Sequence, residues 1–495
     1  MNLIALLPVS NVAPPIFVIH MDVEKVCDSQ YISLPIIGRR EESEKRSMSH
    51  LLCCDANLCN NDYQMIGTPI PSLTTRSYPL QTQPNGTDIS CFKVFFLQQE
   101  YTVNRESDLF VAGNSTVKIT VQEFSQNYYK TVLITPKNFA FPLGDTVRIT
   151  ADGAGQHGAL ICTNDTASIY GFYDARYGGE GYLAIPAKYQ STIYVIPSFN
   201  IINIGRRFKS RSIMAVSPLN TNTTVHILLQ SDQGPITVNN VKYSLNSSIT
   251  MVLNPYETFQ LSHTHDLTGT LVTSSAPVFV ISGSNCINTY NTPSVYDCNP
   301  IMEMILPTDQ LDSLYVIPEI AKYKWSTVRV LSINATSITF KNTSSAISIL
   351  LRPREYLDFQ HEKISYIQSS DNVIVTVYPQ YTLPGFFDTF MMTIHGVNQY
   401  LPEYHFAVPS KGFSSFISIV VQSSEIGGFI LDDKRITLNI YSISHGSDDF
   451  STGSVSIEHG AHHIKHLNGT KFGLWVYGSK QYDGYGYPGG IQFRN

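Results

Sequence analysis

Three of the eight cysteines lie within the stretch "LLCCDANLCNNDY", residues 51–63. Clustered thiolates can bind zinc, and oxidised cysteines can instead form disulfide bonds. No fourth Cys or His stands at the spacing of a zinc finger or knuckle, so the cluster favours disulfides. Cys53 and Cys54 should point to opposite sides of one extended strand, so each needs its own partner. Cys59 is close enough to close a small loop with Cys54, and Cys27 is the other cysteine nearby.

The densest group of titratable side chains is "EHGAHHIKH", residues 458–466. Imidazole nitrogens are ligands for zinc and copper. In an extended strand, His462 and His466 share one face and His463 lies on the other. Two well-placed ligands are too few for a metal site, so we predict a polar strand without metal. Protonation of these histidines at mildly acidic pH could still tune an interaction.

Two further segments offer groups for recognition. The basic run "GRRFKSR" places Arg206 and Arg207 between two predicted strands, where they could contact a sulfated glycan or an acidic mucin. A solvated turn is the alternative. Near the C-terminus, glycines alternate with four tyrosines: Tyr477, Tyr482, Tyr485 and Tyr487. Aromatic faces on a glycine frame can bind sugars or proteins, but tyrosines packed to close the last sheet explain the pattern as well.

Motifs of common catalytic sites are missing from the sequence. It contains no H-E-x-x-H, no G-x-S-x-G, no G-x-x-x-x-G-K-[ST] and no G-x-G-x-x-G after a strand. A glycosidase needs only two carboxylates, and the chain has acids such as Asp371, Asp388, Asp432 and Asp433. No spacing favours any pair of them. We therefore predict a protein that is not an enzyme and has no cofactor or metal.

The composition is that of a globular all-β protein. Hydrophobic residues make up 43% and charged residues 15%, and the formal net charge is −6. No basic excess is available for phosphate contacts, which argues against a nucleic-acid partner. The 29 Tyr, 25 Phe, 31 Gly and 26 Pro indicate short strands joined by turns. No stretch reaches the roughly 18 apolar residues that a membrane span requires.

Potential glycosylation sites favour the secretory pathway. N-x-[ST] sequons occur at Asn85, Asn114, Asn164, Asn222, Asn246, Asn334, Asn342 and Asn468. Together with eight cysteines they indicate an oxidising, extracellular location. The first 20 residues are apolar but lack a basic start and are interrupted by Pro8, Pro14 and Pro15, so they make a poor signal peptide. We expect that the true start of the chain is missing.

Repeated strand patterns define the organisation of the chain. Residues 63–87, rich in Pro, Ser and Thr, predict a linker between residues 1–62 and a β-rich body at 88–495. In the body, "IYVIPSF", "LYVIPEI" and "HFAVPSK" each precede a second and a third strand, and "STVKITVQ" is an earlier echo of the third. Residues 268–284 and 364–380 each predict two strands separated by a Ser-rich turn. The units predict tandem antiparallel β-sandwiches, with a β-propeller as the alternative.

The first segment resembles a known extracellular fold. The pattern C-C-x4-C-N, which ends at Asn60, is similar to the C-terminal signature of three-finger domains of the urokinase-receptor and lymphocyte-antigen type. Residues 1–62 would be the last part of such a domain. The resemblance implies disulfide bonds between Cys27 and Cys53 and between Cys54 and Cys59.

The body resembles a second family. The stretches "EGYLAIPAKYQSTIYVIPSF", "SIMAVSPLNTNTTVHILL", "NPYETFQLSHTHDLTGTLVTSSAPVFVISGSNC" and "HLNGTKFGLWVYGSKQYDGYGYPGG" are similar to the N-terminal domain of the IgG Fc-binding protein family. That resemblance implies extracellular binding or adhesion and brings no catalytic residues. It also supports a disulfide between Cys286 and Cys298, which flank an irregular loop. Cys91 and Cys162 remain and could pair.

The sequence therefore predicts a secreted, disulfide-bonded glycoprotein that acts in recognition or adhesion in mucus, matrix or innate defence. Its expected partner is an extracellular glycan or glycoprotein. Two other interpretations stay open, a glycan-processing enzyme on a β-scaffold and a structural matrix component. Binding of IgG Fc is not predicted, because no motif in the sequence identifies an antibody contact.

Overall fold

A computed structural model describes residues 32–34, 48–50, 90–100, 105–126, 128–175, 178–199, 210–238, 240–287, 299–380, 388–410, 412–481 and 483–494. The chain divides into two compact units, Met1–Pro69 and Ile70–Asn495. In the first unit, β1 (Ile32–Leu34) pairs antiparallel with β2 (Met48–His50). Cys27, Cys53, Cys54, Cys59 and Asn85 lie outside the described residues, so the three-finger assignment stays a prediction.

The second unit, here called the body, is all-β as predicted, and its described residues contain short 3₁₀ turns but no α-helix. Its strands group into four consecutive modules, at residues 90–183, 191–304, 312–393 and 403–488. The first module contains β3 (Ser90–Val94), β4 (Glu106–Gly113), β5 (Val117–Glu123), β6 (Tyr128–Ile134), β7 (Ala140–Pro142), β8 (Gly153–Gly155), β9 (Ala159–Thr163), β10 (Ala167–Ala175) and β11 (Gly178–Leu183).

The second and third modules follow the same plan. The second contains β12 (Ser191–Val195), β13 (Ser212–Pro218), β14 (Thr223–Leu228), β15 (Ile236–Val238), β16 (Val241–Tyr243), β17 (Ser248–Leu253), β18 (Thr258–His263), β19 (Leu271–Ile287) and β20 (Asn299–Met304). The third contains β21 (Asp312–Ile317), β22 (Trp325–Ser332), β23 (Thr336–Lys341), β24 (Ala346–Leu351), β25 (Tyr356–His361), β26 (Ser365–Gln380) and β27 (Met392–Thr393).

The fourth module contains β28 (Glu403–Val408), β29 (Ser414–Gln422), β30 (Phe429–Leu431), β31 (Lys434–Arg435), β32 (Asn439–His445), β33 (Asp448–Ile457), β34 (Gly460–His466), β35 (Gly473–Lys480) and β36 (Asp483–Pro488). Short 3₁₀ turns link the modules at Ala187–Tyr189, Thr308–Gln310 and Val397–Gln399. Each link follows the last strand of one module and precedes the first strand of the next.

Strand order is the same in all four modules. One sheet of each module runs β3-β9-β5-β6, β12-β19-β14-β17, β21-β26-β23-β24 or β28-β34-β30-β31. The other runs β11-β10-β4-β7, β20-β19-β13-β18, β27-β26-β22-β25 or β36-β35-β29-β33. Both sheets of a module contribute side chains to one shared core, which is the sandwich arrangement.

Alternating side chains build these cores. In β5, Val117, Ile119 and Val121 are buried, while the residues between them are partly or fully exposed. This period of two is the pattern of a sheet with one face on the core and one in water. In β13 every residue is buried, because the strand lies in the middle of its sheet and the outer face of that sheet is covered.

Two long strands correct one prediction. Residues 268–284 and 364–380 were expected to form two strands around a Ser-rich turn, but β19 and β26 are each continuous. The first part of each long strand belongs to one sheet and the second part to the other, with a register shift between them. The Ser-rich segment therefore lies where the strand passes from one sheet to the other. In the first and fourth modules the chain is interrupted at the same place, which yields β9 and β10, and β34 and β35.

The last strands of the modules (β11, β20, β27 and β36) meet at a common axis. Asn299 in β20 donates hydrogen bonds from Nδ2 to the carbonyl oxygens of Gly179 (3.1 Å), Thr389 (2.8 Å) and Gly484 (3.1 Å). These carbonyls belong to the three other modules. One buried amide therefore contacts the whole set of modules, which close into a ring because the fourth also packs on the first.

Candidate interaction surface

In the second and third modules the two ends differ in the length of their connections. At one end, here the turn end, the second strand turns quickly into the third, through residues 219–222 and 333–335 in the second and third modules. At the other, here the hairpin end, the first strand leaves for the second and the last two strands are joined. In the second module these connections are 196–211 and 288–298, of which residues 200–209 and 288–298 lie outside the described residues. Long connections on a rigid scaffold commonly carry binding residues. The hairpin end is therefore the candidate interaction surface.

A polar cluster lies at the hairpin end of the axis. Lys480, the last residue of β35, contacts Asp174 of the first module (Nζ to Oδ1, 3.0 Å) and Asp483 of β36 (Nζ to Oδ2, 2.9 Å). The side chains of Lys480 and Asp174 are 23% and 17% exposed, whereas that of Asp483 is 1% exposed. The Lys480 ammonium also lies 4.2 Å from the centre of the Phe413 ring. The cluster joins the fourth module to the first and keeps a charged group at the surface.

The third module contributes to the same region. The hydroxyl of Tyr323 donates a hydrogen bond to the carbonyl oxygen of Asp388 (2.6 Å), just before Thr389, whose own carbonyl accepts from Asn299. Gly484 of the fourth module has no room for a side chain, because a Cβ there would lie 2.6 Å from the Asp388 carbonyl oxygen. Groups of the third and fourth modules thus pack together beside Asn299 of the second module.

Burial controls the charge of the axial groups. Burial raises the pKa of Asp483 to about 7, against the opposing effect of Lys480. Burial alone would lower the pKa of Lys480, but Asp483 and Asp174 raise it above its usual value. Deeper along the axis, burial raises the pKa of Glu180 and of Glu303 well above the usual range for a carboxyl. These inner carboxyls therefore favour their neutral forms.

Glu180 also ties distant modules together. Its carboxylate accepts hydrogen bonds from the backbone N–H groups of Met391 (3.0 Å) in the third module and Gly486 (3.3 Å) in the fourth. Glu303 accepts one from the N–H of Thr393 (2.9 Å). Since both side chains are fully buried, their contacts position backbone and offer no group to a solvent-borne ligand.

A small cavity lies near these groups and does not extend the site. Its lining includes Glu303, Thr393 and His395, and its volume is ≈ 10 Å³. That space holds about one water molecule. Burial also lowers the pKa of His395 to about 3, so its imidazole stays neutral. A sugar or peptide therefore does not fit in this cavity.

Exposed basic groups stand at the hairpin end of two modules. In the third, Lys322 and Lys324 are exposed in the connection between β21 and β22. In the second, Arg211 donates a hydrogen bond to Ser262 (2.8 Å), and its side chain is 42% exposed. The predicted residues Arg206 and Arg207 belong to the same connection as Arg211 but lie outside the described residues.

The tyrosines proposed as a binding surface are placed differently. Tyr477, Tyr485 and Tyr487 are fully buried, so they do not form a surface, and Tyr482 lies outside the described residues. Their strands β35 and β36 pack between the core of the fourth module and the first module, which covers both faces. The aromatic rings fill this junction, as in the contact of Tyr487 with Tyr170 (4.8 Å between ring centres). Packed tyrosines that close the last sheet are the correct interpretation.

In the histidine-rich strand β34, His462 and His466 lie on one face, as predicted, but their rings are not arranged to bind one metal ion together. His466 is buried, and its ring nitrogens contact the Glu425 carbonyl (2.9 Å) and the N–H of Asn468 (3.3 Å). His462 contacts Asp432 through Nδ1 (2.7 Å) and the Glu458 carbonyl through Nε2 (2.9 Å). Both ring nitrogens of each histidine thus have protein partners. In the part of the chain that the structure describes, no group of His, Cys, Asp and Glu is arranged to hold a metal ion.

The cysteines of the body stand in two places. Cys91 and Cys162 occupy directly opposite positions on β3 and β9 and form a disulfide bond. Cys286, at the hairpin end of β19, is also disulfide-bonded. Cys298, the partner that the sequence suggests for it, lies outside the described residues.

Several residues that hold the ring together gave no signal in the sequence. Asn299 and Glu180 act at the axis, and Lys93 and Arg329 are buried at the junctions of the first with the second module and of the second with the third. None belongs to a motif, and each has its partners far away in the sequence. Only their complete burial as polar or charged residues marks them, and burial is visible only in the fold.

The model of the IgG Fc binding protein family matches residues 180–478, which is more than half of the chain. The chain belongs to the IgG Fc-binding protein family. The matched range begins at Glu180 in β11 and ends within β35, so it covers the second and third modules completely and the fourth up to its last two strands.

Individual relatives match less completely. The IgGFc-binding protein of Homo sapiens is 25% identical over 253 residues, which are 49% of this chain and 5% of that protein. The chain thus spans a small part of this relative. A solved structure described as a Ca²⁺-stabilised adhesin that helps an Antarctic bacterium bind ice is 8% identical, covers 80% of this chain and 95% of its own, and has a TM-score of 0.11. A TM-score this low carries no argument about fold or function. Within the described ranges, no helix is long and apolar enough to cross a membrane.

Proposed function

We propose that this protein is an extracellular recognition protein that binds a glycan or glycoprotein through its hairpin end. Membership of a family named for binding supports recognition over catalysis. The observation that carries the proposal is the convergence of all four modules on Asn299 and the adjoining Lys480 cluster. That convergence gives the long connections of several modules a common rigid base.

The charges at this end favour an anionic partner surface. Lys322 and Lys324 are exposed together, whereas the partly exposed Arg211 already faces Asp152 at 3.6 Å. Sulfate or sialate groups on a glycoprotein would pair with such cations, and the pairing would weaken as salt is added. The relative's name points to IgG Fc, which is itself a glycoprotein and is therefore one probe among several.

The test uses the glycosylated protein secreted by animal cells. Its binding to sulfated and neutral glycan arrays, to purified mucin and to IgG Fc is measured at low and physiological salt. For any probe that binds, the double variant Lys322→Glu with Lys324→Glu is then compared with the unaltered protein. We expect a loss of affinity of about tenfold or more, since like charges would now oppose the ligand.

A matched control reverses two charges elsewhere. Lys118 and Lys137 are exposed in the first module, toward its turn end, and the variant Lys118→Glu with Lys137→Glu changes the net charge by the same amount. Binding should stay within about twofold of the unaltered protein, because only overall charge differs. Equal losses in both variants would show a non-specific charge effect and would refute the hairpin end as the binding surface.

A second candidate function is a structural role through self-association. The edge strands β6 and β24 expose large apolar side chains, with Tyr129 66%, Leu133 61% and Leu350 70% exposed. Unpaired edges that carry apolar residues can pair with other strands. Sedimentation at rising concentration distinguishes the two functions. Assembly that Leu350→Lys abolishes would favour the structural role, and a monomer at all concentrations would leave recognition.

A further inference from the structure

The turn end of each module has two adjoining loops. One is the turn between the second and third strands, and the other is the place where the sixth strand bends or is interrupted. In the first three modules the same hydrogen bond joins the two loops. In each, the second residue of the third strand donates its backbone N–H to a side chain of the bend. The pairs are Lys118 with Asn164 Oδ1 (2.8 Å), Thr224 with Ser275 Oγ (2.9 Å) and Ser337 with Ser370 Oγ (3.0 Å). The two loops therefore have one local structure in different sequences.

Sequons fall on these two loops in every module. The exposed acceptor asparagines are Asn114 and Asn164 in the first module, Asn222 in the second, Asn334 in the third and Asn468 in the fourth. In the first three modules one of them lies in the turn between the second and third strands. In the first and fourth, one lies at the interruption of the sixth strand.

The third and fourth modules exchange the roles of the two loops. Asn334 lies on the turn and donates from Nδ2 to Asp371 Oδ2 on the bend (2.9 Å). Asn468 lies on the interruption and donates from Nδ2 to Glu425 Oε2 on the turn (3.1 Å). An acceptor asparagine thus faces a carboxylate in both modules, although it comes from opposite loops. Both modules therefore place an acceptor amide at the turn end, although the asparagine comes from a different loop in each.

The local geometry leaves room for a glycan on these amides. A glycan is attached at Nδ2, and the modified amide keeps one N–H, which suffices for the single hydrogen bond that Asn334 or Asn468 makes. In Asn164 the hydrogen bond uses Oδ1 and does not involve Nδ2. All five acceptor residues are exposed, so attached sugars would extend into water.

We propose that N-linked glycans occupy the turn end of all four modules, one equivalent position per module. The body then carries a ring of glycans at the end opposite the hairpins. The remaining described sequons, Asn246 and Asn342, lie between the third and fourth strands of the second and third modules only, at the edge away from the axis. If the proposed function holds, these glycans block approach to the turn end and leave the axial part of the hairpin end accessible.

Site-by-site occupancy tests this inference without any binding partner. Protein secreted by animal cells is deglycosylated enzymatically in heavy-oxygen water, which labels each formerly occupied asparagine, and peptides are read by mass spectrometry. We expect label at Asn222, Asn334 and Asn468 and at one or both of Asn114 and Asn164 in most molecules. A module whose turn-end asparagines are all unlabelled in the secreted protein would overturn the proposal.

Substitutions at the third sequon residue keep the asparagine contact and so protect folding. Thr470→Ala removes the sequon, so Asn468 is no longer glycosylated, but it retains the Asn468 contact with Glu425. The intact mass should therefore fall by one glycan. Thr470→Ser is the matched control, because it keeps the sequon, and its mass should stay within the glycan pattern of the unaltered protein. No mass change with Thr470→Ala would count against the fourth site. Failure of every binding probe would count against the proposed function alone, since occupancy is measured independently.

Discussion

Lys93 provides a direct test of how the modules are joined. This lysine of β3 is fully buried at the junction of the first and second modules. Its ammonium contacts the Ser217 hydroxyl, the carbonyl oxygen of Tyr256 (2.8 Å) and the hydroxyl of Thr258 (3.3 Å), and none of these partners from the described residues is a carboxylate. Burial lowers its pKa from 10.5 to about 7. A charged lysine is therefore costly in the folded protein, and Lys93→Met removes that cost.

The size of the effect follows from the pKa. One pKa unit corresponds to about 1.4 kcal/mol, so a pKa of about 7 in the folded protein means a cost of about 5 kcal/mol for the charged form. The methionine variant leaves the Tyr256 carbonyl without this donor, which costs about 1–3 kcal/mol. Ser217 and Thr258 still donate to the carbonyls of Glu257 and His157. We expect Lys93→Met to stabilise the protein by about 2–4 kcal/mol at pH 7 or below.

The advantage of the variant should depend on pH in one direction. Between pH 7 and 10.5 the unfolded lysine holds a proton that the folded one has released, so the unaltered protein becomes more stable as pH rises. The difference in the free energy of unfolding between Lys93→Met and the unaltered protein should therefore shrink by up to about 1.4 kcal/mol per pH unit above pH 7. Burial lowers the pKa of nearby His157, so this histidine stays neutral in that window.

Urea denaturation of both proteins from pH 6.5 to 9.5 measures this gap, and all other titrating groups cancel in the difference. The exposed Lys118→Met is the matched control for loss of a positive charge in the same module. A gap that stays constant from pH 7 to 9.5 would refute the reasoning, because it would mean that the folded lysine keeps its proton throughout.

Four other perturbations have defined outcomes. Arg329→Met leaves the buried Asp266 without its partner at 2.6 Å, so the free energy of unfolding should fall by about 3–5 kcal/mol in urea denaturation. Asn299→Leu removes the two amide hydrogens that three buried carbonyls share and should cost about 2–3 kcal/mol by the same measurement. Cys91→Ser opens a loop closed over 71 residues and should lower the denaturation midpoint by the equivalent of about 4 kcal/mol, with no further effect of a reductant on this bond. Burial raises the pKa of Asp483 from its ordinary value of 3.8 to about 7, so the protein should lose stability as pH rises from 4 to 7, and Asp483→Asn should remove that part of the pH dependence of stability.

The sequence predicted the parts of the fold that depend on local pattern. The aliphatic pair and proline after Tyr194 and Tyr315 marked the first strands of the second and third modules, because this pattern recurs with little change. The first strand of the first module, β3, was not recognised from this pattern, because it has Lys93 in the middle and no proline. The long strands were misread, because serines in a strand that changes sheets look like serines in a turn.

The site was less predictable than the fold for a physical reason. The glycine and tyrosine pattern around Tyr485 is equally compatible with a surface and with a packed junction, and only contacts with another module decide between them. Asn299 is one asparagine among many until the last strands meet around it. The sequence thus reveals which residues can make an interaction, whereas the closure of the ring decides which of them are reachable.

Each junction between modules contains a buried or partly buried charge. Lys93 joins the first and second modules, Arg329 the second and third, and Lys480 the fourth and first. Glu319 joins the third and fourth, with Lys363 at 2.7 Å and a hydrogen bond from Ser454 at 2.9 Å. Such groups contribute little net stability but tolerate few alternative geometries. If the hairpins of several modules form one binding surface, their relative placement depends on these junctions. A variant that disrupts a junction but leaves each module folded should therefore lose partner binding before it loses its β-structure. Binding requires a fixed relative placement of the modules, whereas each sandwich can fold without it.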